Sequence, residues 1–161
     1  MDGVSISVEL RGFEAAELKL QRLEQIVLGA ELMDALGRLG QQQTKRRIEV
    51  EKTTPDGAAW PRTRDGRGAL FVTGAHLDRS IDYEASATEA RWGSGFIGAR
   101  VHQYGAVITP KNAKVLAFVQ GGQHFFAKKV TIPSRAYVGM SEANKTEMVD
   151  VAARFVAGAA A

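Results

Sequence analysis

The spacing of apolar residues changes three times along this 161-residue chain, and this pattern restricts the fold more than any other feature. Apolar and polar residues alternate over residues 4–10, which predicts a half-buried strand. Helical spacing follows over residues 16–52, alternation returns over residues 81–92, and helical spacing resumes after Ser141, a predicted helix cap. The order predicts an α+β domain with an antiparallel sheet packed against N-terminal helices and a C-terminal helix.

The composition is that of one globular domain, predicted to span residues 1–161. Apolar residues make up 45% of the chain and charged residues 24%, the usual balance for a soluble protein. The absence of cysteine excludes disulfides and thiolate chemistry. The chain shows neither a secretory signal nor a membrane span. We therefore expect a protein made in the cytoplasm with no membrane partner.

The helical region after the first strand is expected to be divided by glycine. We predict that Gly29 ends or bends a first helix and that a second begins at Leu32. The second helix becomes polar over residues 41–52, where Ile48 and Val50 are the clear apolar residues. A helix end that is polar on nearly all sides has little core to bury against its own domain. We expect it to stand in solvent or to face another chain.

A long loop is predicted over about residues 53–69. The Pro-Asp-Gly sequence at residues 55–57 supplies turn chemistry, and Pro61 with later glycines prevents a regular element. Loops of this length in compact domains are usually functional or disordered. Trp60 argues against full disorder, because a tryptophan in a polar loop needs a surface to bury against.

Further strands are predicted beyond this loop. Residues 81–87 and 90–92 are expected to pair as a hairpin, and residues 115–119 and 128–132 have strand-like patterns. A short helical segment is expected to stop at Gly105.

The sequence contains no recognisable catalytic or metal-binding constellation. His76, His102 and His124 lie far apart, without the spacings of a zinc site. Ser94 lies between glycines but lacks the spacing of a nucleophile elbow. Phosphate-binding glycine motifs are missing as well. We expect no catalytic residue, no metal and no cofactor. His102 itself can be interpreted in two ways, as a catalytic histidine or as part of a structural corner.

A cluster of basic residues offers a second functional reading, a small DNA-binding module that uses Lys45 to Arg47. The net charge of +3 does not demand such a partner. Glu49 and Glu51 neutralise part of the cluster, and the stacking aromatics of single-strand binders are missing nearby. The basic residues concerned are Lys45, Arg46, Arg47, Arg62, Arg64 and Arg67.

Four motifs occur in one order: TPDGAAWPRT, LFVTGAHLDRSI, IGARVHQYGAVI and VTIPSRAYVGMS. Together they resemble the phage virion-morphogenesis family, the tail-completion or neck proteins of tailed phages and Mu-like prophages. That family shows a PDGxxW loop, a TGxLxxSI segment, an HQxGxxI corner and an IPxRxFxG segment. The resemblance covers about residues 30–156 and leaves the N-terminal strand outside. Its departures are an extra residue in the second motif, and Ala136 and Tyr137 in place of proline and phenylalanine.

The resemblance implies a structural virion protein and no enzyme. Such proteins complete the tail or form the neck and join the tail to the head. A ring of identical subunits, here expected to be a hexamer, follows from a head-to-tail interface that closes. The implied partners are the chain itself, other head–tail connector and tail tube proteins, and non-specifically the DNA that passes through. A tail terminator ring protein is the alternative within the virion.

Two sets of residues follow from the resemblance and the residue patterns. The inter-subunit or partner interface is predicted to use Arg46, Arg47, Ile48, Val50, Trp60 and Arg62. The structural corner is predicted to use His102, Gln103, Tyr104, Gly105, Pro133, Arg135 and Tyr137. In this corner we expect Tyr104 to pack inward, Gly105 to supply a turn, and the ring of His102 to bond a backbone group.

Overall fold

The computed structural model describes residues 3–8, 25–63, 69–70, 77–120 and 122–159. A π-helical turn (Arg47–Glu51) continues the first helix, and a 3-10 turn (Asp78–Ser80) precedes the second strand. The predicted α+β class is confirmed. The helices and strands of the described residues are β1 (Val4–Val8), α1 (Gln25–Arg46), β2 (Ile81–Ala85), β3 (Ala90–Ser94), α2 (Ala99–Tyr104), β4 (Ala106–Ile108), β5 (Leu116–Gln120), β6 (Gln123–Ala127), β7 (Val130–Ile132) and α3 (Glu142–Ala159).

The central sheet has three antiparallel strands in the order β1-β3-β2. The register places Trp92 of β3 between Ile6 of β1 and Tyr83 of β2. Because side chains alternate across a strand, one face of this sheet is apolar and packs against α1, while the other face is polar. The strand predicted at residues 4–10 is confirmed over residues 4–8, and its last two residues lie outside the described residues. The hairpin predicted over residues 81–92 is confirmed.

Helix α1 is continuous from residue 25, so the expectation of a break at Gly29 is wrong. A Cβ at Gly37 would lie 2.5 Å from Tyr83 Cδ2, and one at Gly40 would lie 2.4 Å from Trp92 Cδ2. These glycines therefore bring the helix onto the sheet, and a close approach of this kind outweighs the low helix propensity of glycine. The pattern predicted as helical before residue 25 lies outside the described residues.

Helix α3 begins where the sequence predicted. The Ser141 hydroxyl accepts a hydrogen bond from the Asn144 backbone N–H at 3.1 Å, and Asn144 Oδ1 accepts one from the Ser141 N–H at 3.2 Å. This reciprocal pair satisfies two amide donors at the helix start. Met148 and Ala152 are buried on the inner face of α3, which packs against α1.

Residues 106–132 form a two-stranded ribbon, which we call the arm. At its base β4 pairs with β7, with Ala106 opposite Ile132, and further out β5 pairs with β6. Of the segment predicted as a strand at residues 128–132, residues 130–132 form β7, which pairs with β4 at the base of the arm. Among the described elements, the strands of the arm make extensive contact only with one another.

Candidate assembly interface

The four sequence motifs meet in one hydrophobic cluster. Trp60 of the first motif, Leu77 and Ile81 of the second, Ala99 of the third and Tyr137 of the fourth all belong to it, and all are buried. Packed aromatic and branched side chains of this kind supply most of a core's stabilisation. The motifs therefore build a core, and within the described residues they do not surround a reactive cleft.

Gln103 joins the third motif to the fourth. This buried side chain accepts hydrogen bonds at Oε1 from the backbone N–H groups of Tyr137 and Val138, at 3.0 and 3.1 Å. Its Nε2 donates to the Val138 carbonyl at 2.9 Å. An amide side chain is well suited to this position because it offers both donor and acceptor to a backbone that has no strand partner there.

The base of the arm is fixed where these motifs touch. Gly105 has φ 76°, and a Cβ there would lie 2.8 Å from the Ser134 nitrogen, so only glycine fits without strain. The Arg135 N–H donates to the His102 carbonyl at 2.8 Å, and the Ser134 hydroxyl donates to the Gln103 carbonyl at 2.8 Å. These bonds satisfy carbonyls at the end of α2. The turn and Pro133 thus set where both strands leave the domain.

The described part of the long loop is held against the same segment. Trp60 Nε1 donates to the Ala136 carbonyl at 3.0 Å, and Arg135 Nε donates to the Pro61 carbonyl at 2.9 Å. A Cβ at Gly139 would lie 2.3 Å from Pro55 Cγ. Residues 53–63 are therefore ordered by contacts within their own chain, whereas residues 64–68 lie outside the described residues.

Arg47 is a buried cation at the junction of the π-helical turn with the start of α3. Its Nη1 donates to the carbonyls of Tyr137 and Gly139 at 3.0 and 2.6 Å, and its Nη2 donates to Asn144 Oδ1. Burial lowers the pKa of Arg47, and the Glu51 carboxylate, 3.7 Å from Nε, opposes that shift. Arginine suits this site because its planar fork can serve several acceptors at once.

The interface was predicted because the polar helix end was expected to have little core within its own domain, and these contacts show that this expectation is wrong. Arg47, Ile48 and Trp60 are buried inside the chain itself, so their burial needs no neighbouring subunit. The helix end was expected to lack a core because its partners lie about 90 residues away in sequence. Arg46, Val50 and Arg62 remain on the surface.

The corner around His102 differs from expectation in two ways. Tyr104 is 66% exposed, so the prediction that it packs inward is wrong, and Gln103 takes the inward position. The ring of His102 stacks on Phe96 with centroids 6.2 Å apart, and its buried Nδ1 has no hydrogen-bond partner among the described residues. Burial, and secondarily the nearby Arg135, lower the pKa of His102.

Two arginines in the described part of the basic cluster are already engaged by groups of their own chain. Arg47 is buried, and Arg46 donates from Nε to Glu51 Oε1 at 2.9 Å and from Nη2 to Glu147 at 3.3 Å. These neighbours raise the pKa of Arg46, first through Glu51 and then through Glu147. Arg64, Arg67 and His76 lie outside the described residues.

The arm carries most of the unexplained apolar surface. Phe118 and Phe125 stack on one face with centroids 5.7 Å apart. On the other face Phe126 and Val119 are 69% and 60% exposed. Exposed apolar patches on a soluble domain commonly mark interaction sites. The sequence indicated strands here, but it did not show that they leave the core.

The described residues contain no group of three or more His, Cys, Asp or Glu side chains placed to hold a metal ion. None of the helices in the described ranges has the length and apolarity to cross a membrane.

The fold and this site define a small α+β domain whose motifs serve packing and whose arm stays on the surface. The sequence profile of the phage virion morphogenesis family matches residues 12–157, and the chain belongs to that family. It is therefore a structural phage virion protein. The match leaves β1 outside, as the motifs indicated, and begins earlier than the motifs did. No curated protein and no solved structure matches the chain significantly.

Proposed function

We propose that this protein completes the tail or forms the neck of a phage particle and joins the tail to the head as one subunit of a homo-oligomeric ring. Its partners are copies of itself, head–tail connector proteins and tail tube proteins. It acts by binding alone, without a cofactor or a catalytic step.

The main support for this proposal is that a chain of this family carries an exposed apolar arm. A domain that folds around its own motifs and still exposes Phe126 and Val119 on a projecting ribbon has surface left for other proteins. The exposed Arg46, Val50 and Arg62 supply a second proposed contact. Repeated use of two different surfaces of one chain gives a head-to-tail assembly, which forms a ring when the rotation between neighbours closes.

The DNA-binding module is not proposed, because its central arginine is buried and the neighbouring Arg46 is held by two glutamates. Phosphate would have to compete with those glutamates for Arg46, and it could reach Arg47 only if the core around that residue opened.

A phage carrying a stop codon in this gene tests the proposal. Electron microscopy of the lysate is expected to show filled heads and tails of normal length that are not joined, and addition of the purified protein should restore joined particles. Joined, infectious particles without the protein would refute the proposal. Unjoined tails of abnormal length would instead indicate the tail terminator, because a terminator fixes where tube growth stops.

A further inference from the structure

The central sheet has two outer edges, and side chains block the edge formed by β2. Gln41 Nε2 donates a hydrogen bond to the Ile81 carbonyl at 2.8 Å, and the Tyr83 N–H donates to Asp82 Oδ1 at 2.8 Å. These bonds occupy backbone groups that an added strand would need, which is a common way to protect a sheet edge. The other outer edge is β1, because the strand order is β1-β3-β2.

At the β1 edge, the N–H and C=O groups of Ser5 and Ser7 point away from the sheet. The Gly95 N–H donates to the Ser80 carbonyl at 3.0 Å, just beyond the end of β3. Alternate residues of an antiparallel strand bond to a given neighbour, so the odd-numbered residues of β3 bond to β2 and the even-numbered ones to β1. The register then turns the N–H and C=O of Ile6 toward β3 and those of Ser5 and Ser7 outward. No hydrogen bond within the described part of the chain reaches these outward groups.

The strand β1 also lacks the features with which proteins usually protect a free edge. Its five residues include no charged residue and no proline, and it pairs with β3 without a bulge. An unprotected edge is a template for pairing with another chain. A sheet that protects β2 and leaves β1 open therefore has one edge available for a further strand.

The sequence of β1 matches a second copy of itself. Val-Ser-Ile-Ser-Val is the same in both directions, so two antiparallel copies centred on Ile6 place Ser5 of one opposite Ser7 of the other. Both residues have outward backbone groups, and each such pair exchanges two N–H to C=O hydrogen bonds. The outward groups of both copies are then satisfied by a single arrangement.

The two faces of the sheet also match in this register. Ser5 and Ser7 are exposed on the polar face and would meet serines of the second copy. Ile6 is half-buried, packs against both core clusters, and would meet its counterpart where opposed side chains come closest. A slip of one residue would set apolar side chains against polar ones. The nearest charged side chain of the polar face, Arg91 on β3, would lie about 14 Å from its counterpart, a distance at which repulsion is largely screened.

The arm matches this edge less well than β1 does. Phe118 lies on one face of the ribbon, and Val119 and Phe126 are exposed on the other. Pairing a strand of the arm with β1 would place one of these apolar faces beside the exposed serines. A second β1 keeps polar beside polar and apolar beside apolar.

We propose that β1 of one chain pairs antiparallel with β1 of a second copy about a twofold axis at Ile6, so that two three-stranded sheets become one sheet of six strands. The pair closes the open edge of both chains, and the free protein is shielded in this form before it enters a larger assembly. This contact goes beyond the proposed ring function, because β1 belongs to neither surface proposed for the head-to-tail contact. A twofold contact is complete with two subunits.

The natural absence of cysteine allows a register-specific test by disulfide cross-linking of the full chain. Ser5 and Ser7 of the second copy would have Cα atoms about 5.5 Å apart, within the disulfide range of about 4.4–6.8 Å. A mixture of the Ser5→Cys and Ser7→Cys variants should therefore give a covalent dimer under oxidation. Each variant alone should give far less, because its own two cysteines would lie roughly 8–9 Å apart across the pair.

The matched control is a mixture of Ser5→Cys and Thr88→Cys. The second cysteine then lies on the exposed β2–β3 turn, and only background cross-linking is expected. The double variant Ser5→Cys/Ser7→Cys should stop at the covalent dimer, because the twofold contact leaves no third subunit in reach. A ladder of higher covalent oligomers would instead place β1 in a head-to-tail contact and overturn the inference.

Charge on the edge supplies a second measurement that does not depend on a cysteine. Ser5→Lys/Ser7→Lys places like charges directly opposite each other and should weaken dimerisation about tenfold in sedimentation experiments. Ser5→Lys/Ser7→Glu carries as many charged side chains but places opposite charges together, so it should dimerise about as well as the parent. Both variants alter exposed side chains, and an unchanged melting temperature of the monomer serves as the folding control.

Cross-linking of the Ser5→Cys and Ser7→Cys mixture at the level of the Thr88 control would overturn the inference and leave the proposed ring function standing. Equal dimerisation of the two charged variants would also overturn it, because the serines would then not face each other. Joined particles in the stop-codon phage would refute the proposed function whatever the cross-links show.

Discussion

Gln103 is the side chain by which the domain holds the segment that follows the arm. Replacement by alanine leaves two N–H groups and one carbonyl without their buried partner. Each such group costs about 1–3 kcal/mol, so Gln103→Ala should lower the free energy of unfolding by about 3 kcal/mol or more in urea titrations. Tyr104→Ala is the control, and its effect should stay within about 0.5 kcal/mol because the ring is exposed. Equal losses for both variants would contradict this assignment.

Arg47 stabilises the fold through geometry as well as charge. Arg47→Met should destabilise the domain by roughly 2–6 kcal/mol, because the carbonyls of Tyr137 and Gly139 lose their donor. Arg47→Lys should also be destabilising, since an ammonium group cannot reproduce the fork. The control Arg46→Met removes only exposed ion pairs and should cost under about 1 kcal/mol. Thermal and urea unfolding of the three variants provide the comparison.

His102 should make stability fall as the pH drops below about 6.5, the ordinary value for histidine. Its pKa is lowered in the folded state by burial and by Arg135, so the unfolded chain binds the proton first. Unfolding is therefore favoured as the pH falls from the unfolded pKa toward the folded one, by up to about 1.4 kcal/mol per pH unit. Above that window the residue contributes no slope. Between pH 7.5 and 5 the urea midpoint of the parent should fall relative to that of His102→Gln, which lacks the titrating ring, and parallel curves would contradict the account.

At the scale of elements, glycine in α1 sets how closely the helix approaches the sheet. Gly40→Ala should destabilise the domain by about 1–3 kcal/mol, because the new methyl group overlaps the ring of Trp92. Gly158→Ala in α3 is the matched control, since nothing lies within 4 Å of its Cβ position and alanine favours a helix. Its free energy of unfolding should not fall. A neutral Gly40→Ala variant would mean that the helix can shift away from the sheet.

The elements that could be predicted are those in which one buried face sets the spacing of the apolar residues. The alternation in β1 and in the β2–β3 hairpin, and the Ser141 cap of α3, depend on neighbouring residues. The continuity of α1 could not be predicted, because its glycines are placed against the rings of Tyr83 and Trp92, which lie more than 40 residues away in the sequence. The pairing of β4 with β7 was not predicted for the same reason. Both strands are short, and their register is fixed only when the arm between them has formed.

The candidate site was likewise predictable only where the signal lies in neighbouring residues. Gln103, Gly105 and Arg135 were identified as a corner from the family motifs, but local sequence could not show that Gln103 points inward and Tyr104 outward. The burial of Arg47 also escaped prediction, because its acceptors belong to residues 137–144. A polar helix end is predicted to be solvent-exposed whenever its partners are distant in the sequence.

At the scale of the whole molecule, one chain combines a core built from its own motifs with an arm whose strands pack extensively only on one another among the described elements. The core needs no neighbour, because Ile48, Trp60 and Tyr137 bury one another. The subunit should therefore fold alone and associate afterwards, and assembly should depend on the arm and not on the folded state of the domain.

The mass of the purified protein, measured by light scattering over a concentration series, tests the central claim most directly. The account predicts a folded monomer at low concentration and a discrete ring-sized species at high concentration, with a sharp upper limit because a closed ring leaves no free interface. A monomer at every concentration, or growth into open aggregates of no fixed mass, would contradict it.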